Sequence, residues 1–307
     1  MIYTVTLNPS IDYIMFVDGF EAGALNRTTA TAKFADGKGI NVSRVLQTLD
    51  VPSTALGFVG GFPGQFVEDT LTSAGIQTAF TQVEEDTRIN VKLKSGAETE
   101  INATGPTITE DNIKALLEQL RQTTSEDIVV IAGSVPSSVS KTIYADMAKI
   151  VRETGAQFVV DAEKSLVEGI LPYGPKLIKP NKVELEEMFD TTITSDSEVL
   201  KYGRKLLEKG AQSVLVSLGG DGAIYLDKSQ AFKVAAPKGN VINTVGAGDS
   251  TVAGMVAGLT KGLSQQETLA LAIASGSATA FNDDLAERSM IDTLLENISI
   301  TQLNEEG

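Results

Sequence analysis

Apolar residues along the chain gather into short, β-branched runs at positions 2–7, 54–59, 128–132, 158–161, 177–179 and 213–218, which predict strands. Between most of them the apolar positions recur every three or four residues, predicting helices over 40–49, 65–73, 111–121, 141–153, 182–189 and 197–209. Strands that alternate with helices pair in parallel, because each helix carries the chain back across one face of the sheet. The expected fold class is therefore α/β, with helices on both faces of a mostly parallel sheet. In such folds ligands collect beyond the carboxyl ends of the strands. Polar motifs follow several of these strands directly: Asn8-Pro-Ser-Ile-Asp12, Gly133-Ser134-Val-Pro136, Lys179-Pro-Asn181 and Gly219-Gly220-Asp221-Gly222.

Two segments break the alternation. Residues 12–33 and 83–102 carry β-prone stretches such as Ile89-Asn-Val-Lys-Leu93 and no helix pattern of useful length. They predict either a small separate sheet laid over the site as a lid, or a pair of edge hairpins with no moving part. No repeat or linker divides the 307 residues, and the acidic tail Asn304-Glu-Glu-Gly307 is expected to fray.

The segment from Asn243 to Ser250, with Gly246, Ala247, Gly248 and Asp249 at its centre, passes from a glycine-rich turn into a helix-like run at 251–259. A helix beginning there aims unpaired N–H groups and a positive dipole at an anion. Asp249 then has two readings: a helix cap, or a base that takes the proton from a hydroxyl attacking a phosphate.

Composition narrows the chemistry. The chain has no cysteine and no histidine, which removes disulfides, thiolate and imidazole metal sites, and every Ser-His-Asp mechanism. Proton transfer falls to Asp, Glu, Lys or Tyr. A net charge of −15 disfavours nucleic acid and anionic membrane as partners, so cations for an anionic metabolite must be gathered locally. Lys38, Arg88 and Lys179 stand out for this. No basic leader opens the chain and no apolar run approaches the roughly 20 residues of a bilayer span, so a cytoplasmic location is expected.

Familiar phosphate loops are missing: there is no Gly-x4-Gly-Lys-Ser/Thr, and no Gly-x-Gly-x-x-Gly after the first strand. Six other motifs do occur in order: Thr6-Leu-Asn-Pro-Ser-Ile-Asp12, Gly37-Lys-Gly-Ile-Asn-Val-Ser43, Gly133-Ser-Val-Pro136, Lys179-Pro-Asn-x-x-Glu184, Val216-Ser-Leu-Gly-Gly-Asp-Gly-Ala223 and Thr244-Val-Gly-Ala-Gly-Asp-Ser250. Together they resemble the PfkB carbohydrate kinases, and within them the 1-phosphofructokinase and tagatose-6-phosphate kinase branch. Thr87-Arg-Ile-Asn-Val-Lys92 resembles the 1-phosphofructokinases more.

This resemblance implies a ribokinase-like three-layer α/β/α sandwich with a small β-sheet lid. It implies ATP and Mg²⁺ as cofactors, a sugar phosphate as acceptor, and a homodimer paired through the lid strands. The expected reaction is phosphorylation of the C6 hydroxyl of fructose 1-phosphate, with tagatose 6-phosphate as the alternative acceptor. Asp249 matches the family's base, and the amides of Gly246, Ala247 and Gly248 match its anion hole. Asp12 and Asn41 match hydroxyl-binding positions; Gly37, Lys38, Arg88 and Arg27 match the part that holds the sugar's phosphate, with Ser134 adding a hydroxyl. On the nucleotide side the resemblance implies Lys179, Asn181, Glu184, Ser217, Gly219, Gly220, Asp221, Gly222 and Asn282, with Glu184 reaching magnesium through water. Asp36 departs from the family's Gly-Gly-Lys-Gly, and a carboxylate there could repel an anionic substrate. The stretch Asp161-Ala-Glu-Lys164 also departs, from an aspartate followed by small hydroxylated residues.

Overall fold

The computed structural model describes residues 1–303; the tail expected to fray lies outside them. The chain opens with strand β1 (Ile2–Thr6) and passes at once into β2 (Ser10–Phe16) and β3 (Ala30–Asp36). There follow α1 (Lys38–Thr48), β4 (Ser53–Val59), α2 (Gly61–Ser73) and the short β5 (Gln77–Thr78) and β6 (Thr81–Gln82). A second excursion forms β7 (Arg88–Ser95) and β8 (Ala97–Ile101). Alternation then resumes through α3 (Glu110–Arg121), β9 (Ile128–Ala132), α4 (Ile143–Thr154), β10 (Gln157–Asp161), α5 (Lys164–Ile170), β11 (Leu177–Ile178), α6 (Lys182–Phe189), α7 (Asp196–Glu208) and β12 (Ser213–Ser217). The last part holds β13 (Ala223–Asp227), β14 (Ala231–Ala235), α8 (Ala247–Thr260), α9 (Gln265–Ala280), α10 (Arg288–Leu295) and β15 (Ser299–Gln302).

The central sheet runs in the order β15-β14-β13-β12-β11-β10-β9-β1-β4-β5, with β6 also on β4. From β4 to β12 every pairing is parallel, and β12 through β15 are antiparallel. Its strands are apolar on both sides because both sides are covered. Val129, Ile131, Phe158 and Val160 point into a core closed by α3 to α7, whereas Val130, Ala132, Val159 and Leu215 point into a second core closed by α1, α8, α9 and α10. That is the predicted three-layer sandwich.

The second sheet, ordered β3-β2-β7-β8, is built from the two segments that broke the alternation. It begins two residues before the first predicted segment and ends three beyond it, so Ser10 and Asp36 belong to strands. Ile11, Ala35 and Ile89 on its back join Val67 and Leu71 of α2 and Ile40 of α1 in a third apolar cluster, which seats the small sheet against the main layer. No helix among the described residues is long and apolar enough to cross a membrane.

Candidate active site

Helix α8 starts at the glycine-rich turn. Gly246 has φ 79°, a left-handed conformation that favours glycine, and a Cβ there would also displace the tip of Leu285. No side chain caps the helix. Its first intrahelical bond from this turn is Ser250 N–H to the Gly246 carbonyl, which leaves the amides of Gly248 and Asp249 without a helical acceptor. The Ala247 amide makes a long 3.3 Å bond to the Thr244 carbonyl. A Cβ on Gly248 would stand 3.1 Å from Lys179 Nζ, so glycine also admits a cation to the anion hole.

Asp249 lies in the first turn of α8, only 6% exposed, and its Oδ2 accepts from Asn41 Nδ2 at 2.9 Å. Burial pushes its carboxyl up to about 7, aided by the charges of Asp161 and Asp36 and opposed by Lys38 and the Asn41 hydrogen bond. Asp161, at the carboxyl end of β10, holds two lysines: Lys38 Nζ at 3.2 Å on one oxygen and Lys179 Nζ at 3.3 Å on the other. Burial alone would favour the neutral acid, yet the two ammonium groups hold it ionised, below the usual carboxylate range. Burial likewise works against the Lys38 ammonium, but Asp161, Asp249 and Glu184 outweigh it and raise its pKa.

These groups line a polar cavity of about 390 Å³ with Asn181, Glu184, Ser217 and Gly248. Asn181 caps α6, its Oδ1 accepting from the Glu184 amide at 2.8 Å while Glu184 Oε2 accepts from the Asn181 amide at 2.8 Å. The capping role of both residues and a ligand role coexist, since both still face the cavity. At Ser217 and Gly248 it continues into a more apolar slot of about 470 Å³ bounded by Gly219, Gly220, Gly222, Ile273 and Phe281. A polar, cationic chamber leading to an apolar slot matches a polyphosphate joined to a flat base.

Next to this chamber, sharing Asp36, Asn41 and Gly246 with it, lies a second space under the small sheet. Alternation brings Asp12, Ile14, Phe34, Asp36 and Lys92 to one face, where with Asn41 and Gly246 they line a space of about 50 Å³, room for a water or two. Asp12 is held by three groups: Lys92 Nζ lies 2.7 Å from Oδ2, and Ser10 Oγ and Asn90 Nδ2 each donate to Oδ1 at 3.0 Å. Asp36 Oδ1 accepts from Asn41 Nδ2 at 2.9 Å, and burial and the charge of Asp12 push its carboxyl upward.

The structure thus gathers Asp12, Lys38, Asn41, Lys179, Asn181, Glu184, Ser217, Gly219, Gly220, Gly222 and the 246–249 turn around one continuous cleft. Lys38, expected on the acceptor's phosphate, stands instead with Lys179 in the polar chamber, because Asp161 draws both. Gly37 contributes its φ of 140° at the start of α1, where a Cβ would meet Thr6. Five expected residues are not brought to the cleft. Arg27 sits on the exposed β2–β3 connection and Ser134 is exposed after β9. Arg88 spends its guanidinium on the carbonyls of Asn8 and Ala103 at the root of the small sheet. Asp221 is exposed beyond the apolar slot, and Asn282 donates to the Leu285 carbonyl beside a separate groove. Asp161, Lys92 and Phe281 join the cleft in addition to the expected residues. Lys92 was legible from strand alternation, two residues beyond Asn90, and Asp161 from its place at a strand's carboxyl end.

For magnesium the donor set is sparse. Among the described residues no group of three acidic, histidine or cysteine side chains could hold a metal. Glu184 offers one carboxylate beside the polar chamber, which fits an ion that keeps most of its waters and takes its other oxygens from phosphate.

Residues 5–289 match the pattern of the pfkB family carbohydrate kinases. Over 303 residues the chain is 48% identical to a 1-phosphofructokinase of Bacillus subtilis, covering 99% of this chain and 100% of that protein. A D-tagatose-1-phosphate kinase of Bacillus licheniformis is 38% identical over 304 residues, covering 99% and 100%. A solved structure from Staphylococcus aureus, provisionally assigned as a phosphofructokinase, superimposes with a TM-score of 0.92 at 61% identity and full coverage of both chains.

Proposed function

The chain belongs to the pfkB family of carbohydrate kinases, and from that premise we propose that it transfers the γ-phosphoryl group of ATP to the C6 hydroxyl of fructose 1-phosphate, giving fructose 1,6-bisphosphate. The observation that carries this reading is the position of Asp249. It lines the cationic chamber, buried and with its proton affinity near neutrality, and its hydrogen-bond partner Asn41 lines both that chamber and the cavity roofed by Asp12 and Lys92. A carboxylate so placed is matched to general-base work at physiological pH.

In this mechanism ATP lies with its base in the slot beside Phe281 and its phosphates among Lys38, Lys179 and the first turn of α8. Asp12 and Asn41 orient the acceptor hydroxyls, and Asp249 accepts the C6 proton as the oxygen attacks. The amides of Gly246 and Gly248 and the two lysines stabilise charge on the equatorial oxygens of the phosphoryl group. Magnesium, when bound, neutralises the triphosphate, with Glu184 reaching it through water. The acceptor space as it stands has room for a water or two, so this reading has the small sheet move outward when the acceptor binds.

We place this chemistry in the cytoplasm and in a homodimer that pairs the small sheets. Phe16 and Ile101 on that sheet are 40% and 62% exposed, and sedimentation of an Ile101→Lys variant tests the pairing. The acceptor is tested by side-by-side kcat/KM values for fructose 1-phosphate, tagatose 1-phosphate and tagatose 6-phosphate with Mg·ATP. A preference for either tagatose compound overturns the assignment of the sugar. Binding without turnover of any of the three overturns the kinase.

A further inference from the structure

One amide nitrogen separates two carboxylates in this cleft. Asn41 Nδ2 has two hydrogens, and the structure commits one to Asp36 Oδ1 and the other to Asp249 Oδ2, both at 2.9 Å. Asp36 is the last residue of β3 and lines both the acceptor space and the polar chamber. It touches neither lysine of the chamber by an ion pair; its carboxylate is hydrogen-bonded by the Asn41 side chain and by the Gly37 backbone.

The arrangement matters because Asp249 changes character during turnover. As a carboxylate it accepts from the amide; once it holds the acceptor's proton it can donate. A freely rotating Asn41 would then turn its carbonyl oxygen toward the acid and stabilise the protonated form. Asp36 prevents this, because the turned amide would set an oxygen against its carboxylate. The amide therefore remains a donor in both protonation states.

We propose that Asp36 is a positioning residue for the base: it locks the Asn41 amide toward Asp249 throughout the cycle, and its charge couples the titration of Asp249 to the wall of the acceptor space. The proposal rests on Asp249 as the base. Facing Asp36 are Asp12 from β2, Lys92 and Arg88 from β7, and Asn41 from α1; behind Asp249 stand Asp161 and Lys38. Asp36 and Asp161 raise the proton affinity of Asp249, and Lys38 and the amide lower it.

Two substitutions separate the lock from the charge. Asp36→Asn removes the charge and keeps an oxygen that accepts from Asn41; Asp36→Ala removes both. In Asp36→Asn the acid limb of the kcat profile is expected to move to lower pH by about half a unit or more, the size of a near like-charge effect. In Asp36→Ala the limb moves similarly, and the plateau kcat falls several-fold below that of Asp36→Asn. The same shift is read without turnover by ¹³C NMR titration of the Asp249 carboxyl carbon in the unliganded protein, its resonance assigned by loss in Asp249→Asn. An unchanged Asp249 midpoint in Asp36→Asn overturns the charge coupling, and equal plateaus in the two variants overturn the lock. Absence of sugar-phosphate turnover by the unaltered protein overturns the kinase reading instead, and the NMR titration still decides the coupling.

Discussion

Asn41 donates to Asp249 across 208 residues of chain, at 2.9 Å and out of contact with bulk water. This bond fastens the first helix of the fold to the helix that carries Asp249. It partly offsets the forces that hold the carboxyl near pH 7.

Replacing Asp249 by Asn should lower kcat by at least on the order of 10²-fold, the range assigned to a general base. The amide keeps the shape of the site, so ATP affinity measured by calorimetry should change little. Near-normal turnover would exclude Asp249 as the base.

The same substitution should stabilise the protein in alkaline solution. Folding raises the proton affinity of Asp249 from an ordinary carboxylate toward 7, so the native state binds more protons than the unfolded chain between those values. The contribution of this group to stability therefore declines as pH rises through that window, and above 7 the buried charge is a full burden. The gain in Tm for Asp249→Asn should be larger at pH 8 than at pH 4.5. Equal gains at both would show that the carboxyl is not buried against its charge.

Asp161 is the sole acidic side chain that ion-pairs with Lys38 or Lys179 among the described residues. Asp161→Asn leaves two ammonium groups close together without the carboxylate that ion-pairs with both, one of them buried. The loss should reach about 3 kcal/mol in urea denaturation, as for other broken buried pairs. The acid limb of activity should also move down, since Asp161 is the strongest charge raising Asp249. A loss below about 1 kcal/mol would mean that water reaches this triad.

Lys92→Met tests the roof of the acceptor space. With the cation gone, Asp12 loses its ion pair, and Arg88, occupied with backbone carbonyls, is left to offset Asp12 and Asp36 against an incoming anion. KM for the sugar phosphate should rise about tenfold or more, while KM for ATP stays within about twofold. Equal effects on both would place Lys92 in the general stability of the sheet.

The six strands that form the parallel run were legible because burial on both faces makes them continuous apolar runs. The antiparallel edge formed by β13, β14 and β15 was not, since its short strands carry Asp227, Lys233 and Gln302 among their apolar residues. Helix α2 begins at Gly61, four residues before its pattern, because Gly-Phe-Pro-Gly hides a first turn. In the site, residues at strand ends could be located from order alone. The direction of a long side chain could not: the carbonyls of Asn8 and Ala103 capture Arg88, and Asp161 captures Lys38.

Gly37 is the single residue between β3 and α1. A strand of the covering sheet thus runs almost without slack into the helix whose first turn bears Lys38 and Asn41. An outward rotation of that sheet would act as a crank on this helix, shifting Lys38 and Asn41 together. On the proposed reading, arrival of the acceptor under that sheet would be felt on the donor side through this one-residue joint.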